Sequence, residues 1–273
     1  MDFQEWCISQ KDKVKTQFRN YMGFELNLEN PKRFTEKLNW LKIYDSSFLK
    51  TYCADKLLVR EYVKDKLGKD LSIPVIGIYD KFEDIDFSKL PKDYVIKCNH
   101  GSGMNIIVKD GKVNKSEVKQ KLDKWMKTDY LHALEFFYKP IQKKIFIEEY
   151  KDNGDIGLID YKFWCFNGEP KFYSVGAGNG HGRTNYYNLD GTLSKYQRKD
   201  LLPDLSKHWE KPKDFDEMVD DAKILSKDFK FVRVDFYEVN DKIYLGELTF
   251  LPNAGYVSYN KDIDIELGNM LKI

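Results

Sequence analysis

The segment FVRVDFYEVNDKIYLGELTFLPNAG, residues 231–255, is the most informative part of the sequence, because it has the pattern of two β-strands joined by a tight turn. The strands are predicted over residues 231–237 and 243–249, where β-branched and aromatic residues alternate with polar ones. Asn240 and Asp241 lie between them and favour a hairpin turn.

The hairpin places charged side chains on one face. Alternate residues of a strand point the same way, so Arg233 shares a face with Asp235, and Glu247 shares one with Thr249. Such a face is costly inside an apolar core. Two carboxylates on adjacent strands are, however, a usual way to hold Mg²⁺ on a nucleotide. The pattern predicts a metal site at Asp235 and Glu247, and the alternative is a surface hairpin with a cross-strand ion pair.

Length and composition narrow the class of protein. The 273 residues fit one large domain or two small ones, and 42% hydrophobic residues provide a real core. With 45 basic and 44 acidic residues, the net charge of +1 gives no reason to expect a nucleic-acid partner. We expect no signal peptide and no membrane span, and four scattered cysteines without metal-ligand spacing indicate a reduced, cytoplasmic protein.

A second motif, VIKCNHGSGMNIIV at residues 95–108, reads as strand, glycine loop and strand. Lys97 ends an otherwise apolar strand, and the loop contains Gly101, Ser102 and Gly103. Glycines let backbone N–H groups close on an anion, and a nearby lysine supplies charge. No helix follows the loop, which excludes a Walker-type site. We predict a flap over phosphate groups, with a plain hairpin turn as the alternative.

Two further segments carry candidate groups. A helix is predicted from Asp55 to the terminating Gly68, with Lys56 and Arg60 one turn apart on one face. That face suits either an anion or solvent. The glycine-rich loop 176–184 contains Arg183, which is available for an anion or merely solvated.

These motifs, in this order, resemble the ATP-grasp superfamily over residues 53–257. The residues that carry the likeness are DK-x3-R at 55–60, VIKCNHGSG, IFIEEY at 145–150, RVDF, GELTF and NAG. The segments NPKRFTEKLNWLKIYD at 30–45 and DYKFWCFNGEP at 160–170 resemble, more narrowly, the teichuronopeptide-biosynthesis-like branch, which occurs among capsule and cell-surface polysaccharide genes.

The resemblance implies an α+β ATP-grasp fold in which two subdomains grip a nucleotide. We expect a helical segment at 1–52, a first subdomain with the glycine flap at 53–145, and a second with the metal hairpin at 146–273. The resemblance also implies ATP and Mg²⁺ as cofactors and a role for each of several residues. Catalytic roles fall to Lys97, Arg183 and Arg233, nucleotide contacts to Lys56, Lys97, Gly101, Ser102, Gly103, Glu148, Glu149, Tyr150 and Asp155, and metal binding to Asp235, Glu247 and Thr249.

Two features depart from the family pattern. Many ATP-grasp ligases have Asn where this chain has Thr249, and a hydroxyl is a weaker magnesium ligand than an amide oxygen. The usual N-terminal α/β domain is replaced by about 50 helical residues, so the resemblance gives no acceptor specificity.

The activity implied is a carboxylate–amine ligase that forms an acyl phosphate. Its partners would be a small-molecule or saccharide acceptor with a carboxylate, such as a uronic acid or amino acid, an amine donor, and other enzymes of polysaccharide assembly. Three alternatives stay open: a kinase using the same site, a non-catalytic binding module, and a glycosyltransferase. Acid pairs of the type that glycosyltransferases use occur at Asp84/Asp86 and Asp262/Asp264.

Overall fold

The computed structural model describes residues 1–129, 133–154, 157–177, 184–201, 203 and 211–273. Within these residues the helices are α1 Phe3–Ser9, α2 Lys11–Met22, α3 Phe34–Tyr44, α4 Phe48–Ala54, α5 Val59–Leu67, α6 Lys115–Lys127, α7 Phe215–Ser226 and α8 Lys261–Met270. The strands are β1 Val75–Tyr79, β2 Tyr94–Cys98, β3 Asn105–Val108, β4 Ile145–Glu149, β5 Ile159–Phe166, β6 Glu169–Ala177, β7 Asn185–Asn188, β8 Phe231–Val239 and β9 Lys242–Thr249.

The first sheet has the order β1-β4-β2-β3, and every neighbouring pair is antiparallel. Apolar residues of β2 and β4, including Ile96 and Ile147, form a small core with Leu122 of α6. β4 lies in the middle of this sheet, so the expected subdomain boundary at 145/146 falls inside a strand of the first sheet.

The second sheet has the order β7-β6-β5-β8-β9 and is also antiparallel. Its β8–β9 hairpin turns where the sequence predicts, and β5 and β6 form a second hairpin. Asn167 and Gly168 are left-handed between β5 and β6, and so are Asn240 and Asp241 between β8 and β9. Left-handed pairs of this kind match the twist of the strands that they join.

The two faces of the second sheet have different neighbours. On one face the Phe215 ring of α7 lies 5.6 Å from Phe163 and 4.8 Å from Tyr173. On the other face Phe34 of α3 packs on Trp164 and Phe231. Helices therefore cover one face and part of the other, which leaves the rest of the second face to line a cleft.

The N-terminal helices are fastened to the C-terminal helix. Thr35 of α3 donates its backbone N–H and its hydroxyl to Asp264 of α8, at 3.0 and 2.8 Å. Lys37 donates to the carbonyl oxygen of Gly268 at 2.8 Å. The predicted α+β architecture with a helical N-terminal segment is confirmed, and none of the described helices is long and apolar enough to span a membrane.

One helix begins later than the sequence predicts. Asp55 ends the segment of α4 instead of starting α5, which begins at Val59. Its carboxylate accepts the backbone N–H of Leu57 at 2.8 Å, which holds residues 55–58 in a turn. Lys56 consequently lies in this turn rather than on a helix, and its backbone N–H donates to the Asn99 carbonyl oxygen at 3.2 Å.

The contact between α8 and the chain before α3 generates a prediction on stability. A Cβ atom at Gly268 would lie 2.1 Å from the Lys32 carbonyl oxygen and 2.8 Å from the Phe34 nitrogen. Gly268→Ala should therefore lower the free energy of unfolding by about 1–3 kcal/mol, the usual cost of overpacking. Urea denaturation measures it, with Asn269→Ala, an exposed position on the same helix, as the control. Equal stability of the two variants would contradict this packing.

Candidate active site

A cleft runs between the two sheets. It consists of two adjoining cavities that share Lys97 of β2, Asn105 of β3, Glu148 of β4, Tyr237 of β8 and Glu247 of β9. The larger cavity has a volume of about 530 Å³, within the usual range for small-molecule sites. The sheets thus bring the flap lysine and the hairpin acid, which are 150 residues apart in sequence, to the same space.

Arg233 and Asp235 form the centre of the hairpin site. The Arg233 guanidinium donates Nε to Asp235 Oδ1 at 2.7 Å and Nη2 to Oδ2 at 2.5 Å. Nη2 also donates to the Thr249 hydroxyl at 3.0 Å, and that hydroxyl donates to Glu247 Oε1 at 2.8 Å. The β8–β9 register sets Asp235 opposite Glu247 and Arg233 opposite Thr249. The predicted shared face is therefore present, as one hydrogen-bonded network.

Glu247 is held as a carboxylate by the cations around it. Its oxygens lie 3.6 Å from Lys56 Nζ and 3.5 Å from Arg233 Nη2. Burial raises the pKa of Glu247, but the charges of Lys56 and Arg233, with the Thr249 hydrogen bond, outweigh burial and lower the pKa to about 2. Its side chain stays 35% exposed, whereas that of Asp235 is only 2% exposed. Glu247 is thus the more accessible of the two acids.

Two site residues on β5 were not predicted. Lys162 donates to Asp235 Oδ2 at 3.3 Å and lies 3.1 Å from Asp160. Burial raises the pKa of Asp160, and its Oδ1 is buried without a hydrogen-bond partner among the described residues. The alternation of Asp160 and Lys162 with Tyr161 and Phe163 was the available signal, because it gives β5 one charged face.

The flap lysine and the β4 acid contact each other. Lys97 donates to Glu148 Oε1, and Arg60 donates to Glu148 Oε2 at 2.9 Å. Arg60 also donates to the Ile73 carbonyl oxygen at 2.6 Å. Glu148 carries the expectation of an adenine contact, and the structure places its carboxylate between two cations at the cleft.

The glycine loop approaches the cleft at one of its three predicted positions. Gly103 lines the smaller cavity in a left-handed conformation, with φ of 71° and open space where a Cβ would be. Gly101 and Ser102 belong to the same bend but do not line the described cavities. Asn99 anchors the base of the loop, because its amide donates to Asp55 at 2.8 Å.

The end of β4 lines the larger cavity. Glu149 and Tyr150, the predicted adenine contacts, both line it, and each has a local partner. Lys151 donates to Glu149 at 2.6 Å, and the Tyr150 hydroxyl donates to Asp152 at 2.6 Å. Asp155, predicted to contact the nucleotide, and Arg183, predicted to be catalytic, lie outside the described residues.

A turn of unusual conformation follows β9. Asn253 and Ala254 have φ of 49° and 53°, a left-handed conformation that costs about 1–2 kcal/mol for a residue with a Cβ. Lys42 Nζ donates to the Ala254 carbonyl oxygen at 2.8 Å, and Arg198 donates to the Asn253 side chain at 3.2 Å. Lys42 is fully buried, and burial lowers its pKa. Strain held in place by buried polar groups is common at functional sites.

The donor groups of the hairpin fit magnesium on a nucleotide. Among the described residues no three His, Cys, Asp or Glu side chains cluster into a metal site. Magnesium with a nucleotide needs only one or two protein carboxylates, because phosphate and water oxygens complete its six ligands. Asp235, Glu247 and Thr249 supply hard oxygen donors in one hydrogen-bonded group. The partnerless Asp160 oxygen lies beside them, across Lys162.

Comparison with known proteins identifies a family and a fold. The family model described as TupA-like ATPgrasp matches residues 36–272. No curated protein matches the sequence significantly. A solved D-alanine–D-alanine ligase from Helicobacter pylori is similar in structure, with a TM-score of 0.50 and 17% identity over 88% of this chain and 70% of that one. For the D-alanine–D-alanine ligase from Bacillus anthracis complexed with ATP, the TM-score is 0.43 and the identity is 17%, over 80% of this chain and 65% of that one. At such identity the likeness concerns the fold.

The lowered pKa of Glu247 predicts how stability depends on acid. Because the folded-state pKa of about 2 lies below the ordinary value of 4.5, ionised Glu247 adds stability at neutral pH that is lost as pH falls from about 5 towards 2. As pH falls from 5 to 3, the unfolding free energy of Glu247→Gln should therefore decrease less steeply than that of the wild type. Denaturant titration across pH measures it, with the exposed Glu25→Gln as the control. Parallel curves for wild type and Glu247→Gln would contradict the assignment.

Proposed function

The chain belongs to the TupA-like ATP-grasp family, and on that basis we propose that it is an ATP-dependent ligase that joins a carboxylate to an amine. The observation that carries the proposal is the arrangement across the cleft. Arg233, Asp235, Glu247 and Thr249 form one network on the second sheet, and Lys97 of the first sheet lines the same cavities as Glu247.

The cations of the cleft are suited to the phosphates of ATP. Lys97 is paired with Glu148, Lys56 lies beside Glu247, and Lys162 lies beside Asp235. Each of these ammonium groups can exchange a carboxylate for a phosphate oxygen with little change in its own charge environment. Gly103 lets the backbone of the flap approach the phosphates closely.

The base of the nucleotide fits the larger cavity. Val95 and Ile107 of the first sheet line it together with Leu158, and Glu149, Tyr150 and Lys151 lie at its edge. The apolar side chains provide a surface for the flat adenine ring, and the backbone after β4 offers hydrogen-bonding groups. Glu149 and Tyr150 would therefore contact adenine, and Glu148 would pair with the flap lysine, Lys97.

In this proposal Asp235, Glu247 and Thr249 hold magnesium with the phosphates of ATP. The metal, when bound, neutralises charge that develops on the phosphoryl oxygens. Glu247 is ready for this role, because its low pKa keeps it ionised at neutral pH and its side chain is partly exposed in the cleft.

The reaction then needs positioning more than acid–base chemistry. A carboxylate oxygen of the acceptor attacks the γ-phosphorus, the bond to the β–γ bridging oxygen breaks, and ADP leaves. The amine attacks the carbonyl carbon of the acyl phosphate, inorganic phosphate leaves, and the amine loses a proton. Arg233 is fixed by Asp235 with its guanidinium at the hairpin, where it stabilises negative charge on the transferred group.

The acceptor that we propose is a sugar uronic acid or an amino acid destined for capsular or cell-surface polysaccharide. The support for it is the resemblance of the chain to the branch found among such genes. Association with other polysaccharide-assembly enzymes is part of the same proposal. A kinase that phosphorylates a hydroxyl would use the same nucleotide site and remains the second candidate.

The structure weighs against a glycosyltransferase that uses either acid pair. Asp264 is 2% exposed, and both its oxygens accept hydrogen bonds from Thr35. Asp86 accepts hydrogen bonds from its neighbour Ser88. Neither pair lines the cavities formed by the described residues.

Hydroxylamine trapping tests the ligase proposal. Hydroxylamine attacks acyl phosphates to give hydroxamates, so it replaces the unknown amine. With ATP, Mg²⁺ and a set of carboxylates (D-glucuronate, D-galacturonate, L-glutamate and D-alanine), the wild type should form a hydroxamate and an equal amount of ADP. Glu247→Ala should lose about 10²–10³-fold in rate, as for the removal of one transition-state stabilising group, while circular dichroism shows a folded protein.

The control and the contradicting results are specific. Glu25→Ala removes an exposed carboxylate far from the cleft and should keep the wild-type rate. Near-normal activity of Glu247→Ala would reject the metal assignment. ADP formation with a phosphorylated hydroxyl and no hydroxamate would reject the ligase in favour of the kinase.

A further inference from the structure

The cleft face of the second sheet continues beyond the nucleotide site. Strand register sets five residues side by side in one row across the sheet, from β9 to β7: Glu247, Asp235, Lys162, Ser174 and Tyr186. Directly paired residues point to the same face. Glu247 and Tyr186 are therefore the two ends of one row. Glu247 lines the cleft, whereas Ser174 and Tyr186 are buried, so the row runs from the nucleotide site to a part of the sheet that other residues cover.

Arg198 lies at the Tyr186 end of this row, because the side chain of its neighbour Gln197 donates to the Tyr186 carbonyl oxygen at 2.8 Å. It follows β7, and its side chain is only 15% exposed. Nη1 donates to the Asn253 side chain at 3.2 Å, which places the guanidinium at the strained turn four residues after Thr249. One edge of the same guanidinium binds Asp200 in a bidentate pair, with Nε to Oδ1 at 2.9 Å and Nη2 to Oδ2 at 2.5 Å.

Two buried phenols, Tyr186 and Tyr259, lie near both arginines. The Tyr186 ring is 5.8 Å from the Trp164 ring, which in turn lies 5.9 Å from the Arg233 guanidinium carbon. Burial raises the pKa of both Tyr186 and Tyr259. The positive charges of Arg198 and Arg233 lower the pKa of each phenol. The tyrosines therefore lie within electrostatic reach of both guanidinium groups. The Tyr259 hydroxyl is buried and has no hydrogen-bond partner among the described residues, and Gln197 Oε1 is in the same condition. Buried polar atoms of this kind indicate a missing partner.

We propose that Arg198 is the acceptor-binding cation of this enzyme, and that its fork takes a carboxylate of the acceptor and holds it beside Arg233. The inference rests on the proposed ligase function and names the group that recognises the acceptor. Tyr259 supplies a phenol donor beside that carboxylate, and the Asn253 turn forms the edge of the subsite nearest to the metal hairpin.

The pair with Asp200 shows what the fork accepts. A bidentate guanidinium–carboxylate contact has specific planar geometry, and the same fork takes a carboxylate from a ligand. Asp200 is 45% exposed while Arg198 is largely covered. Asp200 can thus withdraw into solvent when a substrate carboxylate arrives, and in its absence it keeps the buried guanidinium paired.

Opposite effects of two substitutions test this inference. Arg198→Gln removes the charge and the fork, and should weaken the binding of an acceptor carboxylate at least tenfold. Asp200→Asn removes the internal competitor and should tighten the same binding severalfold. A merely structural ion pair would give no tightening, because either substitution would only loosen the loop. Lys195→Gln removes an exposed cation of the same segment and is the matched control.

The measurement is calorimetric titration of each protein, saturated with Mg²⁺ and a non-hydrolysable ATP analogue, with D-glucuronate, D-galacturonate, L-glutamate and D-alanine in turn. The wild type and Lys195→Gln should bind at least one of them equally well. Absence of binding by the wild type at millimolar concentrations would overturn the inference. Wild-type affinity for the carboxylate in Arg198→Gln would also overturn it, and so would weaker carboxylate binding in Asp200→Asn. If Arg198→Gln fails to fold, the result for Asp200→Asn decides the question.

Titration of the same four proteins with the ATP analogue separates the two proposals. We expect unchanged nucleotide affinity in all of them, because Arg198 and Asp200 do not line the nucleotide cavities. Loss of nucleotide binding in the wild type would reject the ligase function itself. Intact nucleotide binding with no effect of either substitution on the carboxylates would reject only the role of Arg198.

Discussion

The buried carboxylate of Asp235 is the group on which the rest of the site depends. It is 2% exposed, and it is neutralised by two hydrogen bonds from Arg233 and one from Lys162. An unpaired charge at this depth would be strongly destabilising, so β5 and β8 must keep their register for the sheet to form. The same register aligns Glu247 with Asp235. Formation of the sheet therefore also aligns the two acids that we propose as metal ligands.

Charge compensation explains how a chain with a net charge of +1 can hold a highly charged nucleotide. Among the described residues, four cations of the cleft each have a carboxylate partner: Lys97 and Arg60 share Glu148, Lys56 lies near Glu247, and Lys162 lies between Asp160 and Asp235. In the function that we propose, binding of ATP with Mg²⁺ would replace these internal pairs by phosphate–cation and metal–carboxylate pairs. The site exchanges partners instead of exposing a basic surface, which is why overall composition gave no sign of it.

The parts of the site that the sequence predicts are those with a local pattern. Alternation along β8 and β9 revealed the shared face, and the glycines after Lys97 revealed the loop. Pairing of Glu148 with Lys97 and Arg60 depends on sheet assembly, so it could not be read locally. Asp160 and Lys162 alternate with aromatic residues in β5. The aromatic residues dominate the strand pattern, although the alternation itself indicates a charged face. The predicted helix start at Asp55 is wrong. The Asp55 carboxylate accepts the backbone N–H of Leu57, as a helix-capping residue would, but it does so in a turn just before α5.

Calorimetric titration in the presence of Mg²⁺ decides whether the cleft between the sheets binds ATP. Wild-type protein titrated with ATP, and separately with a UDP-sugar, should bind ATP with micromolar affinity and the UDP-sugar not at all. Lys97→Ala should lose most of the ATP affinity, because it removes the cation that the flap presents to the phosphates. Binding of the UDP-sugar without binding of ATP would contradict the account and favour a glycosyltransferase.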